Sequence, residues 1–423
     1  MAEIHFFAGL RQKGSLFVHL KHQGLVSVDR HYGKMHKQQT FLVTGGTGFL
    51  GSHVSVGLLS RGHRVLVLAR ERDNASASQR MDRLLNWFGL GKDLRKSLKV
   101  LPGDLNLPGL GLDARDARMV AGETDEIIHC ASDTSFSPRR RERVEKTNIL
   151  GLGNLLDVVR KSPCRAFHLV STAYVAGKRR GLCAEDFEQV REFHNVYEET
   201  KFRAEKMAAK HCADNRIILH VYRPSIVYGD STTGRTTLFN ALYYPIRTLH
   251  FFQKLYIRDI LENGGKKARV MGVRLEKDGA LHLPVRIQSS DECGLNLIPV
   301  DHFVEALLAI RRECPEGGVF HIVNPRSTTI SLLAEYTRRF FQLEGVRVVE
   351  PEEFSKRPRN GLELLFDNHI RYYGPYMQDK RIFEHSRTRA ILAGQNIVCP
   401  EFSYPVFAIC MRYAVEVDWG RLI

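Results

Sequence analysis

The chain of 423 residues is 43% hydrophobic with a formal net charge of +15, a length that suits one large α/β unit plus a second lobe rather than one small core. No run of about 18 apolar residues occurs, so no transmembrane helix is expected. The eight cysteines are scattered, without a CxxC pair or histidines at ligand spacing, which argues for reduced thiols and against a metal site or a disulfide framework. Residues 1–39 are basic and hold five of the 18 histidines. They lack the apolar core and small-residue cleavage site of a secretory signal. Few acids leave a transit peptide open, few serines speak against it, and a start at Met35 is a third reading. From residue 41 short β-branched runs alternate with helical stretches, at 41–44, 65–69, 98–101, 126–131, 166–171, 217–222 and 319–323. The runs are apolar almost throughout, as expected when helices cover both faces of a strand. Such alternation predicts a doubly wound parallel sheet. An aromatic-rich segment follows at 236–263, then a hairpin, 269–275 and 280–287, about the turn Glu276-Lys277-Asp278-Gly279.

The first βα junction reads Thr44-Gly45-Gly46-Thr47-Gly48-Phe49-Leu50-Gly51. Glycines at 45, 48 and 51 allow a tight turn, approach of the backbone to a pyrophosphate, and close helix packing, with the helix N-terminus facing the phosphates. This is a dinucleotide cradle and predicts a Rossmann domain. The second strand ends at Arg70. An acid there would accept from a ribose 2′-hydroxyl, whereas a guanidinium pairs with a 2′-phosphate, so NADP(H) is expected, with Arg72 or Arg80 assisting. Asp104, after the third strand, is placed to accept from the adenine amino group, although a plain turn aspartate explains it equally.

Downstream, Tyr197-Glu198-Glu199-Thr200-Lys201 puts a phenol and an ammonium one helical turn apart. The lysine is expected to favour the phenolate, lowering the tyrosine pKa toward working pH, and to reach the nicotinamide ribose. The strand end Ser171-Thr172 supplies the hydroxyl that completes the set. The chain is therefore expected to move a hydride.

Taken together these motifs resemble the extended short-chain dehydrogenase/reductases, and within them the thioester reductase and fatty acyl-CoA reductase ("male sterility") branch. The resemblance spans about residues 40–330. It is carried by residues 41–51 (FLVTGGTGFLG), Leu68-Ala69-Arg70 with Arg80, 103–112 (GDLNLPGLGL), His129-Cys130-Ala131-Ser132, Asn148 with 151–156, Ser171-Thr172, 197–201, 222–234 (YRPSIVYGDSTTG) and 298–302 (IPVDH). It implies catalytic roles for Thr172, Tyr197 and Lys201, and a proton-relay role for Asn148, which a local helix cap would explain as well. It further implies cofactor contacts from Thr44, Gly45, Thr47, Gly48, Phe49, Leu50, Gly51, Arg70, Arg80, Asp104, Leu105, Ala131, Ser171, Tyr197, Lys201, Arg223, Pro224 and Ile226. Where relatives read His-x-Ala-Ala this chain has His129-Cys130-Ala131-Ser132; His129 is read as a buried strand histidine and Cys130 as core.

The expected organisation is an N-terminal extension (1–39), an NADP-binding Rossmann domain (40–235 and 293–330), and a mixed α/β substrate-binding lobe (236–292 and 331–423). The expected reaction is NADPH-dependent reduction of an acyl thioester, carried on coenzyme A or an acyl carrier protein, to aldehyde or alcohol. The alternatives are a hydroxysteroid-type dehydrogenase or a nucleotide-sugar epimerase or dehydratase on the same fold, and a non-catalytic NADP sensor or scaffold. The basic charge suits the phosphates of coenzyme A or an acidic carrier and leaves peripheral membrane contact open. No nucleic-acid module signature is present. A cytoplasmic protein is expected, with homodimerisation open.

Overall fold

The computed structural model describes residues 37–187 and 189–422; the readings made for residues 1–36, Met35 included, lie outside the described residues. Seven strands form the main sheet: β1 (Thr40–Thr44), β2 (Arg64–Ala69), β3 (Leu98–Pro102), β4 (Glu126–His129), β5 (Ala166–Val170), β6 (Ile218–Pro224) and β7 (Gly318–Ile322). Their order is β7-β6-β5-β4-β1-β2-β3, and every pairing is parallel. The seven runs expected from the sequence are these strands, with ends shifted by up to two residues. Helices α1 (Phe49–Ser60), α2 (Ala77–Trp87), α3 (Ala114–Glu123), α4 (Gly151–Val159) and α5 (Val196–Asn215) connect them.

Alternation along β1 shows why the strands read as continuously apolar. Phe41 and Val43 join a cluster with Val54 and Leu58 of α1, and with Phe303 and Leu307. Leu42, between them, joins the opposite cluster with Leu152 and Leu155 of α4 and Ala204 and Ala208 of α5. Both faces are covered, so neither tolerates a polar residue without a partner. Strand order reverses between β1 and β4, and ligands of such sheets bind beyond the strand carboxyl ends at that point.

The second lobe is built from α6 (Tyr243–Glu262), α8 (Ile330–Phe341), α9 (Gly361–Ile370), α11 (Tyr404–Glu416) and short strands, around a third apolar cluster. Helix α7 (Val300–Glu313) returns to the main sheet. Two expectations are corrected. The hairpin is reduced to Arg274–Leu275 against Leu281–His282. Lys266–Val270 is helical, and Pro284, which has no N–H to donate, separates Leu281–His282 from Arg286–Gln288, which pairs instead with Arg347–Val349. The 331–423 segment is also not confined to the second lobe: Leu392 of α10 (Ser386–Gly394) lies in the same cluster as Phe303 and Ile322. No helix among the described residues is long and apolar enough to cross a membrane.

Candidate active site

At the end of β1 the chain turns through Gly45 at φ +70°. A Cβ on Gly45 would lie 2.6 Å from the Ala131 nitrogen, and one on Gly51 would lie 2.3 Å from the Gly45 carbonyl oxygen. The turn is thus pressed against the end of β4 and folded onto the first turn of α1, a correction to the reading that Gly51 serves helix–sheet packing. At Gly48 a Cβ would meet only the Gly45 oxygen, at 3.2 Å, so that side is open. Gly48 caps α1 without a side-chain hydrogen bond, and no acid stands in the first turn. The uncapped N–H groups and the helix dipole face outward, which fits the pyrophosphate of a dinucleotide.

Around this cradle, Arg80 donates to the Arg70 carbonyl (2.7 Å) and to Thr47 Oγ1 (3.0 Å). Its pKa is lowered, by burial first and then by the neighbouring Arg72 and Arg70 cations. Three guanidinium groups crowded at the end of β2 favour an anion between them. Arg70 lies 3.9 Å from Asp104, and the other Asp104 oxygen accepts from the Asn106 N–H at 2.9 Å. The Leu105 carbonyl accepts from Asn154 (2.7 Å). The Thr44 hydroxyl is turned inward, sharing a 2.7 Å hydrogen bond with His129 Nδ1. His129 is buried as expected, and burial pushes its pKa down to about 3. Burial likewise pushes the Cys130 thiol up to about 12. The Phe49 ring packs edge-on against His53, and Leu50 packs on the sheet cluster.

The chemistry-bearing helix α5 begins at Asn195, whose side chain accepts from the Glu198 N–H at 3.1 Å, and Glu198 and Glu199 occupy its first turn; both features favour a helix start there. Thr172, at the end of β5, caps a short 3₁₀ turn over Ala173–Ala176 by accepting from the Tyr174 N–H, which fixes its hydroxyl. Thr172 and Tyr197 line the same cavity. Lys201 Nζ donates to the Val170 carbonyl at the tip of β5, 2.7 Å away. Phenol, hydroxyl and ammonium are therefore gathered at one strand end.

The electrostatics differ from the sequence reading. Burial pushes the Tyr197 phenol up to about 12, outweighing a lowering from the neighbouring Thr172 hydroxyl. Burial also pulls Lys201 down to about 8, opposed by Glu205. The phenol is thus held protonated, as a proton donor must be.

Three further assignments change. The Arg223 guanidinium is spent on both Glu205 oxygens, at 3.0 and 2.7 Å, and Ser171 Oγ donates to the same carboxylate. These hydrogen bonds tie the ends of β5 and β6 to α5 through Glu205. Asn148 lies in a π-helical turn, Lys146–Leu150, and is not a helix cap. Its amide accepts from Asp133 N–H (2.8 Å) and Ser132 Oγ (3.1 Å) and donates to Thr200 Oγ1 (3.0 Å), tying the post-β4 loop to α5 one residue from Lys201.

Thr172 and Tyr197 open onto a cavity of about 150 Å³, lined also by Phe136, Tyr174, Ile226, Asn240, Tyr373, Tyr376 and Met377. Ile226, expected at the cofactor, lines this cavity, and the Pro224 carbonyl lies 3.5 Å from the Thr172 hydroxyl. Phe136, Asn240, Tyr373 and Tyr376 were missed from the sequence, and nothing local marks them. Glu205 was missed too, although it stands one turn beyond Lys201 as Lys201 stands beyond Tyr197. Among the described residues no cluster of His, Cys, Asp or Glu is arranged to hold a metal ion.

A family of NAD-binding domains described as Male sterility protein matches residues 43–307. The chain belongs to this family. By family and fold it is an NAD(P)-dependent oxidoreductase of the extended short-chain dehydrogenase/reductase type. It is 29% identical over 218 residues to nonribosomal peptide synthetase 5 of Gibberella zeae, covering 48% of this chain and 2% of that protein. The chain thus corresponds to a small part of that relative's length. Among solved structures it resembles the terminal R domain of the myxalamid PKS-NRPS pathway, with a TM-score of 0.70 and 21% identity over 91% of this chain and 92% of that one. It also resembles the NAD-bound UDP-glucuronic acid 4-epimerase of Bacillus cereus, with a TM-score of 0.60 and 15% identity over 90% and 98% of the two chains. These likenesses establish the fold.

Proposed function

We propose that this enzyme uses NADPH to reduce the carbonyl carbon of an acyl thioester, the acyl group being carried on a carrier protein or coenzyme A. The observation that carries the reading is the gathering of the Thr172 and Tyr197 hydroxyls in one aromatic cavity, with Lys201 anchored at the adjoining strand end, in a chain of this family. The likeness to a terminal R domain and to a peptide synthetase supports a carrier-bound substrate. Arg70, Arg72 and Arg80 support NADP(H) over NAD(H), through the 2′-phosphate.

Bound NADPH supplies the hydride. Thr172 and Tyr197 donate hydrogen bonds to the substrate oxygen as negative charge develops on it. Tyr197, held protonated by burial, passes its proton to that oxygen. Lys201, anchored on Val170, stands one turn away to balance the phenolate that results. The hemithioacetal so formed expels the thiol and leaves an aldehyde. The aromatic walls exclude water from the reacting carbon.

The test is NADPH oxidation at 340 nm against acyl-coenzyme A thioesters, with a ketosteroid as control in the same assay and UDP-glucuronate as a second control followed by separation of its epimers. Thioester turnover is expected, and Tyr197→Phe should lower kcat by about 100-fold or more, the usual contribution of a positioned acid. Turnover of the controls alone overturns the thioester reading; an unimpaired Tyr197→Phe overturns the acid.

A further inference from the structure

The aromatic cavity is closed on one side by Tyr376, a residue of the C-terminal segment outside the family match. Its ring stacks on Phe136, with centroids 5.4 Å apart, and meets Tyr174 edge-on at 5.2 Å. Its hydroxyl donates to Glu198 Oε1 at 2.6 Å and accepts from Asn195 Nδ2 at 2.7 Å. Glu198 is buried, and its other oxygen accepts from the His194 N–H at 2.8 Å. The phenol is pinned by two hydrogen bonds to the first turn of the helix that carries Tyr197, and a side chain held this way does not swing aside for a larger ligand.

Asn195, which holds the Tyr376 hydroxyl, also lines a second cavity of about 400 Å³, with His194, Phe193, Pro138, Arg141 and Glu199. Asn195 therefore bounds the outer cavity and anchors the residue that bounds the inner one. The inner space of about 150 Å³ is below the roughly 300–1,000 Å³ that enclose a drug-sized ligand.

We infer that Tyr376 is a specificity-determining residue that partitions the two cavities and limits the site to short acyl groups. This rests on the thioester reading and names the class of acyl chain within it. Long chains are stopped at the Tyr376 ring, and removing that ring joins the catalytic cavity to the outer one.

The experiment measures kcat/KM of wild type, Tyr376→Ala and Tyr376→Leu with butyryl-, octanoyl- and dodecanoyl-coenzyme A, with folding of each variant checked by thermal unfolding. Wild type is expected to prefer butyryl. In Tyr376→Ala the dodecanoyl-to-butyryl ratio should rise by about tenfold or more, a free-energy difference of about 1.4 kcal/mol. Tyr376→Leu, which keeps an apolar filler, should give a smaller rise and serves if the alanine variant does not fold. An unchanged ratio in a folded variant, or a wild type that prefers dodecanoyl, overturns the partition while leaving thioester reduction standing. If no thioester is turned over by any form, the thioester reading falls and the partition with it.

Discussion

The glycine turn and the aromatic cavity sit at neighbouring strand ends, yet they are made of different material. The turn is backbone packed on backbone: Gly45 against the end of β4 and Gly51 against Gly45 itself. The cavity is made of side chains delivered by separate segments, with Phe136 after β4, Tyr174 after β5, Asn240 before α6 and Tyr373, Tyr376 and Met377 near the C-terminus. A backbone surface can follow the shared part of a ligand closely but has no side chain to vary. A side-chain surface varies by single substitutions without disturbing the sheet. Under the proposed function, the cofactor end is thus built to stay constant and the end that takes the acyl group to be retuned.

The sharpest way to break this contrast is Gly45→Ala set beside Met377→Leu. The alanine must adopt φ +70° and place its Cβ 2.6 Å from the Ala131 nitrogen. Left-handed strain and overpacking together should cost roughly 3 kcal/mol, with at least tenfold weaker cofactor binding in a fluorescence titration. The volume-conserving change in the cavity should cost less than about 1.5 kcal/mol. Equal destabilisation in urea unfolding would remove the distinction.

The contrast also governs what the sequence made legible. The β1 turn, the strand-end arginine and the Tyr197–Lys201 spacing are local patterns, so the sheet and the meeting of the Thr172 and Tyr197 side chains in one cavity could be read directly. Tyr376 and Phe136 are brought together by tertiary packing across 240 residues of chain, and no periodicity records that. Arg223 misled for a related reason: its partner Glu205 lies on another element, and a charge looks free until its neighbour is known. The lobe strands are two or three residues long, too short to show alternation, and so only two residue pairs of the expected hairpin survive about its turn.

A medium-sized effect separates the two ends by pH. At the cofactor end His129 is buried and neutral, its pKa lowered from 6.5 to about 3. The unfolded chain binds that proton more readily, so this contribution is complete above pH 6.5 and is lost as pH falls toward 3, by about 2 kcal/mol at pH 5. At the acyl end burial raises the Glu198 pKa above its ordinary 4.5, so its ionisation costs stability as pH rises, the opposite sign. Replacing His129 with asparagine should flatten the acid limb of a stability-against-pH series measured by urea unfolding. An unchanged limb would mean that other buried groups carry the acid sensitivity.

The smallest expected effect tests whether part of the cofactor end is tunable after all. Arg70 is 48% exposed and meets Asp104 only at 3.9 Å, so little of the fold rests on it. Its proposed role is toward the 2′-phosphate, where a charge-assisted hydrogen bond contributes about 1.5–3 kcal/mol. Arg70→Ala should therefore raise KM for NADPH by about tenfold while KM for NADH stays nearly constant. Arg80→Ala is the control, because Arg80 also holds Thr47 in the glycine turn and its loss should weaken both cofactors. If Arg70→Ala instead weakens both equally, Arg70 reads no phosphate, and the cofactor end has no side chain at this position through which its preference can be shifted.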